Sequence, residues 1–389
     1  MYFGDVITHH EKRVSVLGLA LLATPTALSA NSTTTVIPDV AHALGISAAD
    51  ATWTATAFGW AAVLGAPLTA TLLRSGVRAT VLVSAGLVLL GTLLVTVAPT
   101  LPVLLAGRAA QAAGGGALVT LAIGLAGTTR RTGAITAGVG LVGAFGPLAG
   151  ATLAEISWRL PLSLSLIALL AVPVVLRGAV NSEGGAAPVD IVGIVLVMAL
   201  VSTLVLVVRF PVPALLTAVV AVALLVLHIR RSPDGFIPHS VLRSRVFLTS
   251  AALACALSTS YFALLYTVPR LLEQHWSADR IGVTILITLA AGSIAALLFT
   301  RYTSWGGSST IIAAGVLATV LPLVAPWPTA YATATAFGMF AATAGLAWYA
   351  TRAGRAAPAD HRSTALSLCT LCYQLGGAFG PAIAAGLIV

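Results

Sequence analysis

The pentapeptide Gly-Ala-Phe-Gly-Pro occurs twice in this chain, at residues 143–147 and again at residues 377–381. Each copy lies inside a long apolar segment, which indicates that one membrane unit is present in two copies. Internal symmetry of this kind is typical of secondary transporters, in which two similar helical bundles rock against each other around a central site. The repeat therefore predicts a duplicated membrane protein of the transporter class.

The composition excludes a soluble protein. Of the 389 residues, 58% are hydrophobic and only 8% are charged, and the mean hydropathy is +1.02. Ordinary globular chains carry about 25% charged residues. The net charge of +9 comes from short basic clusters between apolar runs, which indicates topology signals and no nucleic-acid partner. Cys255, Cys369 and Cys372 lie in apolar segments and are interpreted as packing residues, so we expect no metal site and no cofactor.

The apolar runs predict an all-α polytopic membrane protein with about thirteen spans. Backbone groups inside lipid must satisfy their own hydrogen bonds, and runs this long without strand-like alternation indicate helices rather than a barrel. In chain order, the predicted spans 1 to 13 cover residues 14–37, 52–73, 79–98, 101–127, 133–155, 160–178, 190–209, 211–228, 246–270, 280–301, 308–325, 328–350 and 363–389.

The basic residues predict the orientation of the chain. When the connections are assigned alternately to the two sides, fifteen Lys and Arg residues fall on the side of the N-terminus and four on the other, with Arg108 left inside a span. This bias predicts a cytoplasmic N-terminus, residues 1–13. The alternative is a signal peptide that ends at the small residues 27–30; the apolar run continues past them, which favours an uncleaved first span.

The position of the repeat predicts the domain organisation. The first copy lies in span 5 and the second in span 13, so spans 7 and 8 are interpreted as an inserted central pair, residues 190–228. The pair is flanked by a six-helix bundle at residues 14–178, and by a basic cytoplasmic linker at 229–245 followed by a second bundle at 246–389. The second bundle has five spans, and we expect a sixth either to be absent or to lie beyond Val389.

The residues around the first copy resemble those of a known family. The run from Gly146-Pro147 through Gly150, followed by Trp158-Arg159, resembles the fifth-helix antiporter motif of the fourteen-span drug/proton antiporters of the major facilitator superfamily. The resemblance covers nearly the whole chain. It implies the major facilitator fold, with two six-helix bundles and two extra central helices, the last helix apparently missing here. Glycine permits close helix approach and proline kinks the helix; the alternative is a generic kinked helix.

A second match is in span 4. Arg108, Gln111 and Gly114 resemble the Arg-x-x-Gln-Gly-x-Gly element of the family, with Ala112 in place of a glycine. Arg108 and Gln111 share one helix face. An arginine inside a span normally faces protein or a wet cavity, and the resemblance implies the proton or substrate pathway. The alternative is that Arg108 snorkels to the membrane surface.

A third match is the connection between spans 2 and 3. Arg74, Gly76 and Arg78 resemble the cytoplasmic gating loop of the superfamily, in which an Asp normally precedes the first Arg. Here that position is Leu73. The missing acid leaves open whether the two arginines form a gate or only anchor the topology.

Span 1 departs from the family in its polar half. Ser29, Asn31 and Thr33 belong to a dense group of polar side chains that lines either a pore or a contact between helices. The related exporters usually have an Asp near Ser29, so the expected proton carrier is missing. Glu155 and Asp39, near the outer ends of spans 5 and 1, are the remaining candidates.

The predicted function is export of small organic molecules by alternating access, as in drug or antibiotic efflux, with the proton as coupling ion. The resemblance and the aromatics Tyr261 and Tyr266 favour a medium-sized amphipathic substrate, neutral or anionic because Arg108 suits an anionic group. The alternative is a sensor or inactive homologue that has lost coupling. An enzyme is not expected, because no catalytic constellation is visible. The abundance of Arg and Ala suggests a bacterial source, and therefore a bacterial plasma membrane. We expect a monomer whose partners are lipid, a small-molecule substrate and the proton.

Overall fold

The computed structural model describes residues 14–178, 190–207, 210–232, 235, 237–302, 307–358 and 361–386. These residues form helices without any strand among them, which confirms the all-helical prediction. Eight helices in this part of the chain are long and apolar enough to cross a membrane, and Ile191–Leu204 is a shorter apolar helix. The predicted N-terminal segment, residues 1–13, lies outside the described residues.

Spans 1 to 6 form what we call the first bundle. Span 1 is longer than predicted and runs to Leu44, where Gly45 ends it in the left-handed conformation with φ 63°. Span 2 is broken after Val63, and span 6 has a 3-10 segment of 8 residues between two short α-helices. The helices are Val16–Leu44; Ala48–Ala51, Trp53–Val63 and Gly65–Leu72, with the 3-10 turn Leu73–Ser75; Val77–Val97; Leu101–Ala126; Thr129–Ala144 and Gly146–Ala154; and Arg159–Leu162, the 3-10 segment Leu164–Ala171 and Val172–Gly178.

Spans 7 and 8 form an antiparallel pair, which we call the inserted pair, and spans 9 to 13 form the second bundle. Spans 1 and 9, the first helices of the two bundles, each have 29 residues. The helices are Ile191–Leu206 and Pro211–Arg231 for the pair, then the short helix His239–Leu242, and Arg245–Glu273, Ala278–Tyr302, Gly307–Val324, Pro328–Ala356 and Arg362–Gly386 for the second bundle.

The two copies of the pentapeptide occupy corresponding places. In the first bundle, Gly146 of span 5 packs against span 1, and a Cβ there would lie 2.9 Å from the backbone nitrogen of Ser32. In the second bundle, Gly380 of span 13 packs against span 9, and a Cβ there would lie 2.7 Å from the nitrogen of Ala263. The two copies differ in one respect: span 5 is interrupted at Phe145, whereas span 13 continues through the second copy without a break.

The bundles meet mainly toward one end of the molecule. The alternation of the spans places Arg78, Arg131 and Arg355 at the same end, which we call the arginine-rich end. The first half of span 5 packs against spans 10 and 12, and the second half of span 2 packs against span 13. The Thr136 hydroxyl of span 5 donates to the Thr343 carbonyl of span 12 over 3.3 Å. The structure is therefore closed between the bundles at the arginine-rich end.

Candidate functional site

Arg108 is the charged residue at the centre of the candidate site. It lies in the first half of the helix Leu101–Ala126, and its side chain is 0% exposed. Its guanidinium carbon lies 4.1 Å from the centre of the Phe58 ring of span 2, in the geometry of a cation–π contact. The alternative from the sequence, that Arg108 snorkels to the membrane surface, is therefore wrong.

The guanidinium is held by oxygens of spans 1, 4 and 6. It donates to the Thr33 hydroxyl at 2.7 Å and to the Ser29 hydroxyl at 2.9 Å. Three further hydrogen bonds reach the Gln111 side chain, the Leu162 carbonyl and the Ser29 carbonyl at 3.1, 3.1 and 3.3 Å. These acceptors are all neutral, and Arg108 Nε has no hydrogen-bond partner among the described residues.

The Leu162 carbonyl is free for this purpose because span 6 is not a regular helix. In an α-helix it would accept the amide of Leu166, but that amide donates to Ser163 over 3.0 Å, in the 3-10 pattern. Three donors converge on the freed oxygen, from Arg108 at 3.1 Å, Ser29 at 3.1 Å and Gln111 at 3.0 Å. The distorted span thus supplies a backbone dipole at the buried cation.

The hydroxyls of span 1 join helices in this structure. Ser29 and Thr33 are 0% and 1% exposed, and Ser32 donates to the Pro161 carbonyl of span 6 at 3.0 Å. Of the two interpretations of this polar stretch, the contact between helices is the one present in this conformation. Asn31 is half-buried and donates its amide to the Gly143 carbonyl at 2.9 Å, so it ties span 1 to the first pentapeptide.

The antiporter-like motif seats span 5 on span 1. Pro147 is the second residue of the helix Gly146–Ala154, so span 5 is interrupted at Phe145, where the kink was predicted. At Gly150 a Cβ would lie 2.6 Å from the Ser32 carbonyl oxygen, far inside van der Waals contact. Glycine is required there because any side chain would push the two helices apart.

The loop between spans 2 and 3 turns at Gly76. Its φ of 99° is a conformation that glycine adopts and other residues avoid. Arg78 is exposed at the start of span 3, and the side chain of Arg74 lies outside the described residues. The structure therefore shows the turn, while the gating role of the two arginines stays a prediction.

The remaining predicted residues lie elsewhere. Tyr261 is 5% exposed and belongs to an apolar cluster that includes Ala144 of span 5, so it lies where the bundles meet. Tyr266 is half-buried on the same helix, and Glu155 is exposed at the outer end of span 5. The hydrogen bonds of Arg108 reach neither tyrosine.

Sequence reasoning missed Phe58, Thr92 and the Leu162 carbonyl as parts of the site. Thr92 accepts the Gln111 amide at 3.0 Å, so Gln111 joins spans 3, 4 and 6. Pro161 in span 6 was a visible signal of an irregular helix. Its position did not indicate which carbonyl becomes free.

The comparisons with known proteins agree with this architecture. The family model described as the Major Facilitator Superfamily matches residues 19–381. The chain belongs to the major facilitator superfamily. "MFS transporter L2" of Phoma sp. (strain ATCC 20986 / MF5453), a curated superfamily member, is 27% identical over an alignment of 337 residues that covers 75% of this chain and 55% of that protein. The chain thus spans about half the length of that relative.

Solved structures of superfamily members share the fold. The human organic anion transporter MFSD10 (TETRAN) aligns with a TM-score of 0.66 and 16% identity over 97% of this chain and 93% of that one. The E. coli fucose:proton symporter FucP aligns with a TM-score of 0.61 and 13% identity over 97% and 98% of the two chains. The proton:xylose symporter XylE aligns with a TM-score of 0.59 and 14% identity over 96% and 88%.

Membership confirms the coarse predictions. The chain has the major facilitator fold and is a multi-pass membrane protein. Transport of small molecules, rather than an enzymatic activity, stays a prediction, because the chain spans about half the length of the relative MFS transporter L2. The narrower assignment to the fourteen-span drug/proton antiporters stays a prediction, as do the boundaries of the inserted pair.

Proposed function

We propose that this transporter exports small organic molecules that are neutral or anionic, by alternating access across a bacterial plasma membrane with its N-terminus in the cytoplasm. Direction follows from the fifth-span motif, in which Gly146, Pro147 and Gly150 match the antiporter pattern and seat span 5 on span 1. In this proposal the protein acts as a monomer of the fourteen-span antiporter type, with 190–228 as the extra pair and the bundles at 14–178 and 246–389.

The observation that carries the substrate class is the neutral surroundings of Arg108. A buried cation costs several kcal/mol of desolvation unless its surroundings compensate. Here the compensation comes from hydroxyl, amide and carbonyl dipoles, so the first bundle keeps a net positive charge at this level. At about 10 Å and an effective dielectric of about 20, one charge changes the energy of a charged substrate by about 1–2 kcal/mol. The site therefore favours anionic over neutral substrates by about fivefold to thirtyfold, and neutral over cationic substrates by the same factor.

The proton is proposed as the coupling ion. Arginine stays protonated throughout a transport cycle, so the proton must bind elsewhere, and Glu155 and Asp39 are the proposed carriers. Both side chains are exposed: Glu155 lies at the end of span 5, and Asp39 lies near the end of span 1. Replacing Glu155 by Gln is expected to make export insensitive to an imposed pH gradient.

The competing candidate is a sensor or inactive homologue of a transporter. The specific observation in its favour is that the acceptors around Arg108 are all neutral, whereas the related exporters usually have an Asp near the position of Ser29. It predicts substrate binding without net movement.

One experiment separates the candidates. An efflux-deficient bacterial host expresses the wild type, Arg108→Ala or Arg355→Ala at matched membrane levels, and its growth is measured across anionic, neutral and cationic antibiotics and dyes. Arg355 is the control because it is an exposed arginine at the end of span 12. We expect resistance to anionic or neutral compounds with the wild type and Arg355→Ala, and its loss with Arg108→Ala. Resistance that favours cations contradicts the substrate class, and no resistance together with binding to the purified protein supports the sensor.

A further inference from the structure

The inserted pair is a single unit with one buried face. Span 8 buries a stripe at helical spacing, Ala214, Ala218, Ala221, Leu225 and Ile229, whereas Leu215, Leu216 and Val219 are 58–64% exposed. At the arginine-rich end, His228 Nε2 of span 8 lies 2.8 Å and 2.9 Å from the two carboxylate oxygens of Asp190, which caps span 7. The two helices are thus tied together at that end.

Span 7 lies over the junction between the two bundles. It packs against Trp53–Val63 of span 2 and against span 13, and spans 2 and 13 also contact each other directly. Val197 and Val201 of span 7 are 5% and 3% exposed. They belong to one apolar cluster with Val63 of span 2 and Leu371 of span 13. One helix therefore packs against a member of each bundle.

A polar contact fixes span 7 to the first bundle. The indole nitrogen of Trp60 in span 2 donates to the Ser202 hydroxyl of span 7 at 2.9 Å. The Ser202 hydroxyl in turn donates to the Met198 carbonyl at 2.7 Å, which leaves its oxygen lone pairs to accept from the indole. The polar atom of Trp60 is therefore engaged by the inserted pair.

This arrangement has a consequence for movement. When the bundles change their relative orientation, spans 2 and 13 separate along part of their length, and a helix packed on both loses contact with one of them. Lipid offers no hydrogen-bond partner to replace a lost one. Span 7 therefore stabilises the conformation that is closed at the arginine-rich end, through those of its contacts that are lost on opening.

We propose that the inserted pair is a strap across the junction of spans 2 and 13, fastened to the first bundle by the hydrogen bond from Trp60 to Ser202, that this bond is lost on opening, and that the strap therefore sets the balance between the two access states. The proposal rests on alternating access, but not on which molecule is exported or in which direction.

The test measures distances between the bundles by electron paramagnetic resonance. Nitroxide labels are attached at Arg78→Cys in span 3 and Arg355→Cys in span 12, exposed positions on different bundles at the arginine-rich end. Cys255, Cys369 and Cys372 are replaced by Ala in the full-length protein, which is reconstituted in lipid nanodiscs without substrate.

Trp60→Phe and Ser202→Ala each remove the fastening and keep the helix intact. We expect either change to raise the ratio of the longer to the shorter distance population about threefold to tenfold, the range typical of hydrogen bonds between membrane helices. The double variant is expected to match the single variants, because both remove the same bond.

Two controls accompany these variants. Thr203→Ala is the matched control, since the Thr203 hydroxyl donates to Leu200 within its own helix at 2.8 Å; it is expected to leave the distances unchanged. Ser202→Thr keeps a hydroxyl and is expected to restore the wild-type ratio. If Ser202→Ala does not yield a folded monomer, Trp60→Phe carries the test alone.

The outcomes separate the strap from the proposed function. One outcome is that two distance populations are present and that their ratio is the same in the wild type, Trp60→Phe and Ser202→Ala. This result overturns the strap but is consistent with alternating access. A single unchanging distance in every variant, also after substrate is added, overturns both. A shift of equal size in Thr203→Ala overturns the strap as well, because the effect then does not come from the bond to Trp60.

Discussion

Replacing Gly150 by Ala is expected to force spans 1 and 5 apart. The added Cβ would lie 2.6 Å from the Ser32 carbonyl oxygen, whereas ordinary contact begins at 3.4 Å, so one helix must move by about 0.8 Å. Overpacking of this kind costs about 1–3 kcal/mol. Alanine returns up to about 1 kcal/mol through its higher helix propensity. The expected net loss in the free energy of unfolding is about 1–2 kcal/mol.

A matched variant isolates the effect of the contact. Gly86 lies in the middle of span 3, and a Cβ there would meet nothing within 4 Å. Gly86→Ala therefore keeps the gain in propensity without the collision, and we expect it to be as stable as the wild type or slightly more stable. The assay is thermal unfolding of both variants in the same detergent. If Gly150→Ala is as stable as Gly86→Ala, the close seating of span 5 on span 1 is refuted.

Three further predictions concern the polar site and the turn before span 3. Arg108→Lys is expected to lower export of an organic anion from proteoliposomes at least tenfold although it keeps the charge, because an ammonium replaces only part of the five hydrogen bonds of the guanidinium; full activity would show that charge alone matters. Ser29→Asp is expected to pair with Arg108, to cut anion export about tenfold and to add a pH dependence that the wild type lacks, measured without a pH gradient across the membrane, whereas Ser29→Asn does none of these; equal effects of both would argue against a charge mechanism. Gly76→Ala is expected to lower the unfolding temperature because a backbone with φ 99° and ψ 161° costs an alanine about 1–3 kcal/mol, and an unchanged temperature would show that the turn adapts.

Much of the fold was predictable from pattern, because the membrane restricts the chain to long helices. The apolar runs indicated the spans, the repeated pentapeptide indicated the duplication, and Pro147 indicated the break in span 5. The end of span 1 was placed too early, at residue 37. Pro38 and the polar half of the helix looked like an ending, but the helix continues to Leu44 because its residues Val36 and Val40 pack into an apolar cluster.

The site was predictable only in part. Arg108 and Gln111 stood out because charged and amide groups are rare inside spans, and one helix face was enough to place them together. Their acceptor on span 6 was not predictable, because a carbonyl becomes available through backbone geometry and has no residue type to mark it. The bond from Trp60 to Ser202 joins residues 142 positions apart, so only tertiary packing could reveal it.

The neutral acceptors around Arg108, among them the Leu162 carbonyl, limit what the site can do. A carboxylate beside an arginine can take up and release a proton, and the net charge of the pair then changes during the cycle. A carbonyl offers only its dipole and keeps the same charge at every pH of interest. The cluster around Arg108 is therefore a fixed positive centre, held by three donors on one backbone oxygen. A fixed charge selects among substrates but does not carry protons, so if protons drive export, the titrating group must lie outside this cluster.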